Sequence, residues 1–176
     1  DKYRHSELLT STIKDILVQN NISAKDLSAV AIGIGPGSFT GLRIGFSVAK
    51  GLCYPHKINL IGISSLKILA NSIKADSGDI VSMINDKGNF YYLSTFEDKL
   101  NEVGNPILEQ VDPNFIKKYI KDGSTIVVNS EDSFNYISTT INDQIKLINK
   151  SISSINMIDL SYESFLEKRF EDLAYC

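Results

Sequence analysis

The sequence predicts an α/β layered domain followed by a second, smaller and more irregular lobe. Three observations carry this expectation. Apolar residues recur at helical spacing from Ser6 to about Asn20, the run Ala29 to Ile34 is apolar without interruption, and helical and strand-like patterns then alternate as far as Lys74. The order helix, strand, helix, strand, helix is that of a sheet covered by helices, with right-handed crossovers.

In the first helix Leu9, Ile13, Ile16 and Leu17 form one apolar face, Leu8 adds a second flank, and Ser6 is expected as N-cap. Ser23-Ala24-Lys25-Asp26 has capping-box spacing and predicts one short turn. The strand Ala29 to Ile34 lacks alternation, which predicts burial of both its faces. A second helix is expected from about Ser38 to Cys53, a strand over Asn59 to Ile63, and a third helix over Ser65 to Lys74. After Asp76-Ser77-Gly78 the pattern changes. Ile80 to Ile84 and Phe90 to Phe96 read as an antiparallel hairpin around residues 85–89, where Asp86 is a turn former. Asp112-Pro113 pairs an N-cap with proline at the first helical position, opening a helix to about Lys121. Thr125 to Asn129 reads as a buried strand, and helices are expected over Glu131 to Ile141 and Tyr162 to Leu173. A soft boundary near Asp76 divides the chain into lobes 1–76 and 77–176.

With 176 residues, 43% of them hydrophobic, the chain is long enough to bury a core. A net charge of -3 argues against a surface that binds nucleic acid unaided, because such binding needs clustered lysine and arginine to neutralise phosphates. Cys53 and Cys176 are too few and too far apart for a disulfide framework or a zinc site, which fits a reducing cytoplasm. No apolar run approaches the roughly 18 residues of a membrane span, and no leader pattern opens the chain.

The stretch GIGPGSFTGLRIG, residues 33–45, is the most informative. Gly35 and Gly37 flank Pro36 in a tight strand-to-helix turn, and Ser38 or Thr40 can cap a helix whose positive end favours an anion, so these four residues form a candidate phosphate-contacting loop. The established phosphate motifs are not met. A Walker A loop needs lysine where Leu42 follows Gly41, a dinucleotide fingerprint needs glycine where Ser38 or Thr40 stands, and a nucleophile elbow would need a histidine beside Ser38. The chain has only His5 and His56. A sharp turn that satisfies its own polar groups is the leading reading of this loop.

Gly41, Gly45 and Ala49 follow at i, i+4 and i+8, a small-residue stripe on the second helix. Glycine within a helix costs about 1 kcal/mol relative to alanine, so a packing reason is expected. Either the stripe packs on the chain's own sheet, or another protein lays a helix across it.

GIGPGSFTGLRIG, with RHSELL at 4–9, AKGL at 49–52 and GISSL at 62–66, resembles the TsaB (YeaZ) family, paralogues of the TsaD glycoprotease-like family. The match is dense over residues 4–70. Both families belong to the actin, sugar kinase and Hsp70 superfamily, with a ribonuclease H-like layered fold, so residues 1–76 would form a partial actin-like lobe. The resemblance implies a part in forming N6-threonylcarbamoyladenosine at position 37 of tRNAs reading ANN codons. In that role the chain is a non-catalytic subunit paired with a TsaD-like paralogue and a TsaE-like ATPase, touching tRNA only indirectly. In TsaD-like chains two metal-binding histidines stand where Ser65 and Leu69 stand here, so neither position can hold the metal. No cofactor is therefore expected on this chain alone, ATP and metal belonging to the partner complex. The implied interface comprises Leu8, Leu9, Ile13 and Ile16 of the first helix with Gly41, Arg43, Gly45 and Ala49 of the second, and the same faces would close a homodimer. His5, just before the helix, is read as a local hydrogen-bonding or interface residue.

The chain departs from the family at both ends. Members begin with a β-hairpin carrying an Asp-Thr-Ser motif and end in proline, tyrosine, leucine, arginine, whereas this sequence opens near the helix and stops at Ala174-Tyr175-Cys176. The first strands of the family fold are thus expected to be missing, in a fragment or a reduced version, leaving an open sheet edge. The alternative is an enzyme, a metallopeptidase or an ATPase of the glycoprotease and actin-like superfamily. The first lacks a metal pair or an activated nucleophile, the second an acidic pair for Mg²⁺.

Overall fold

The computed structural model describes residues 4–73 and 78–173, and the side chains of all of these except 4–7 and 98. It is a mixed α/β fold whose contacts divide it into two compact units. One unit gathers Asp1–Gly33, Ser38–Gly62 and Ser161–Cys176, the other Ile34–Gly37 and Ile63–Leu160. The boundary expected near Asp76 lies outside the described residues; the contacts place Ile63–Leu160 together in the second unit and return Ser161–Cys176 to the first.

The first unit opens with α1, Arg4–Gln19, which begins two residues before Ser6, so Ser6 lies inside the helix and is not its cap. The expected short turn is a 3-10 helix, Ala24–Asp26. The Asp26 carboxylate accepts from both the backbone N–H and the hydroxyl of Ser23, at 2.8 and 2.6 Å. These bonds, the hydroxyl's first, hold the Asp26 pKa below its ordinary value. The strand β1, Ala29–Gly33, pairs with β2, Asn59–Ile63, in a two-stranded sheet. Burial of both faces of β1 does not hold. Val30 and Ile32 pack on the core formed by Ala49, Cys53, Ile58 and Leu60, while Ala31 between them is exposed. The alternation is therefore one of size, hidden by uniform apolarity. The outer side of β2 is bridged by Glu171, whose N–H donates to the Leu60 carbonyl at 2.8 Å. Among the described residues β1 has no strand on its other edge.

The helix α2 runs Phe39–His56, three residues past the expected end at Cys53. It passes Pro55 and closes at Lys57, whose left-handed backbone (φ 54°) turns the chain so that the Ile58 N–H reaches the Cys53 carbonyl at 3.0 Å.

The second unit holds the larger sheet, in the order β5-β4-β3-β6-β7, although the sequence reads this region as the more irregular. The strands β3, Ile80–Lys87, and β4, Phe90–Glu97, form the expected antiparallel hairpin, with Ile80 opposite Phe96 and Met83 opposite Leu93. Asp86 falls within β3, and the turn itself is Gly88 and Asn89, with the Asn85 amide donating to the Gly88 carbonyl at 2.8 Å. The strand β5, Asn101–Gln110, was not readable as one. Every residue of it is exposed, and Gly104 and Pro106 interrupt any alternation. The strand β6, Thr125–Val128, lies parallel to β3 and to β7, Lys146–Asn149, the second strand the sequence did not signal.

This sheet is covered on both faces. Val81, Met83, Ile126 and Val128 turn to a core with α4, Pro113–Tyr119, and α5, Glu131–Ser138; Ile80, Ile84, Phe96 and Val127 turn to α3, Ser65–Ala70. Neighbours along β3 and β6 thus feed opposite cores, which is why both read as apolar runs. Asp112 caps α4, its carboxylate accepting from the Phe115 N–H at 2.7 Å with Pro113 beside it. The last helix, α6, spans Ile158–Leu166 and not Tyr162 to Leu173, because Lys168 adopts a left-handed backbone that ends it.

Candidate functional site

The residues singled out in the sequence fall on α1, the start of α2 and the loop before it. Among the described side chains of α1 none is fully buried. Leu9, Ile13 and Leu17 are half-buried, while Leu8 and Ile16 are 52% and 51% exposed. Beside the first turn of α2, Leu8 and Leu9 join Thr12, Gly41 and Ile44 in lining an apolar cleft of about 350 Å³. Thr12 and Ile44 were missed. Ile44 lies three residues after Gly41, one turn along the same face, so its position was legible in the spacing.

The small-residue stripe does not stay on one side. At Gly41 an added Cβ would touch only Ser38, at 3.5 Å or more. At Gly45 it would lie 3.3 Å from the Ile32 side chain of β1, and Ala49 is 5% exposed in the core. Gly45 and Ala49 therefore pack on the chain's own sheet, correcting the outward stripe. The reason is helical geometry: with 3.6 residues per turn, positions four apart drift by roughly 40°, so the stripe winds from the outer side at Gly41 toward the sheet at Ala49. Arg43 is exposed, its guanidinium 3.9 Å above the ring of Phe39, which is itself 67% exposed.

In the loop, Gly35 is buried with φ 98°, a backbone suited to glycine, and its carbonyl accepts from the Ser65 N–H at 2.8 Å. Gly37 is exposed. Ser38 is the N-cap of α2, its hydroxyl accepting from the Gly41 N–H at 3.3 Å, whereas Thr40 already lies within the helix and is not a cap. The Gly35 carbonyl and the Ser38 hydroxyl are thus both used within the chain. Ser65 and Leu69 lie one turn apart on α3 and are both buried, Leu69 packing with Leu66, Ala70 and Ile80. His56 ends α2 on the surface, and the side chain of His5 lies outside the described residues. Among the described residues no helix is long and apolar enough to cross a membrane.

Comparison with known proteins gives this arrangement a class. The fold is that of YeaZ: the solved structure of YeaZ from Pseudomonas aeruginosa superposes with a TM-score of 0.80 at 17% identity, covering 97% of this chain and 81% of that one. The family model for TsaD, tRNA N6-adenosine threonylcarbamoyltransferase, matches residues 2–120. The tRNA threonylcarbamoyladenosine biosynthesis protein TsaB of Escherichia coli is 38% identical over 74 residues, 42% of this chain and 32% of its own length. That of Bacillus subtilis is 31% identical over 113 residues, 64% of this chain and 47% of its own length. The chain belongs to the TsaB (YeaZ) family, paralogous to TsaD. It spans a third to a half of the length of these curated relatives.

Proposed function

We propose that this chain is a non-catalytic scaffold that activates a TsaD-like paralogue in forming N6-threonylcarbamoyladenosine at position 37 of ANN-decoding tRNAs. The observation that carries the reading is the apolar cleft where α1 meets the start of α2. Leu8 stands half-exposed there beside Gly41, which offers close approach to a helix from outside, and Ile16 is exposed two turns further along α1. Two helices of this length can supply the ~800 Å² per partner of a standard interface. The interface is Leu8, Leu9, Ile13, Ile16, Gly41 and Ile44, with Arg43 at its rim; Gly45 and Ala49 support it from behind. The same self-complementary face closes a homodimer when the partner is absent.

Transfer of the threonylcarbamoyl group, and the ATP and metal it uses, belong to the partner complex with its TsaE-like ATPase. The names of the TsaB relatives support the pathway, and the acidic net charge of -3 supports contact with tRNA through a partner. The proposed setting is the cytoplasm. The test is reconstitution: the chain is mixed with cognate TsaD-like and TsaE-like proteins, tRNA, ATP and threonylcarbamoyl-adenylate, and modified adenosine is measured with and without it. Modification that depends on the chain, and fails with Leu8→Asp, is expected. Equal modification without it, or hydrolytic activity of the chain alone, would overturn the reading.

A further inference from the structure

We draw no further inference here: the strongest candidate, the apolar groove of about 600 Å³ between α1 and α2 lined by Ile13, Leu17, Val18, Val48 and Leu52, is an unpartnered face, and nothing in the structure shows what covers it.

Discussion

Gly41 and Gly45 lie one turn apart on α2 and meet different surroundings, so the same substitution should act differently at each. Gly45→Ala places a Cβ 3.3 Å from the movable end of Ile32 and gains helix propensity, and it should leave stability nearly unchanged. Gly45→Leu must push the rest of a leucine into β1, and overpacking of this kind costs about 1–3 kcal/mol. A lower urea midpoint is expected. Gly41→Leu should leave the midpoint close to that of the unaltered chain while weakening association with the TsaD-like partner at least tenfold, read by titration. If Gly41→Leu binds normally, the proposed interface is wrong. Ser82 makes a different point. Its hydroxyl is fully buried in β3 without a hydrogen-bond partner, and an unsatisfied buried group of this kind costs about 1–3 kcal/mol. Ser82→Ala should therefore unfold at the same or a higher urea concentration; a clear loss of stability would mean that the hydroxyl is paired after all.

Local chemistry explains which elements could be read directly. Asp112 and Pro113 announce α4 by themselves, since one supplies the oxygen that the free N–H of Phe115 needs and the other loses nothing at the first helical position. Asp112→Ala should cost about 1 kcal/mol, visible as a shifted denaturation midpoint. The Ser23 to Asp26 turn adds a pH dependence. Because the folded-state pKa of Asp26 lies below its ordinary 3.8, the turn stabilises the fold above that pH and loses this contribution as the pH falls through the lower folded value. Asp26→Asn should thus be less stable than the parent chain at neutral pH, and the gap should close in acid; a gap independent of pH would remove the carboxylate from the explanation. The strand β5 shows the opposite case. Its pairing with β4 comes from the hairpin it continues, and its own residues carry the marks of a guarded edge, Glu102, Gly104, Pro106 and Glu109.

For the whole chain, the proposed division of labour bears on nucleotide. Gly35 and Ser38 already satisfy partners within the chain, and Leu42 stands where a phosphate-binding lysine would be needed. At most weak ATP binding without turnover is expected, and calorimetry with a phosphate-release assay checks it. Tight binding together with hydrolysis would favour an ATPase.

The sequence by itself determined the alternation of elements through α3, the hairpin, the capped α4, the buried β6 and the family, because each rests on short-range spacing or on a contiguous motif. Three matters were decided only in three dimensions. The chain's last segment returns to bridge β2 through Glu171, a contact 111 residues distant from Leu60 in sequence and marked by no motif. The strands β5 and β7 exist because neighbouring strands offer them free backbone groups, which composition does not record. The stripe on α2 divides between outside and inside because a straight helix rotates its four-residue repeat away from any fixed surface, and only the position of β1 shows where along the stripe the surface ends.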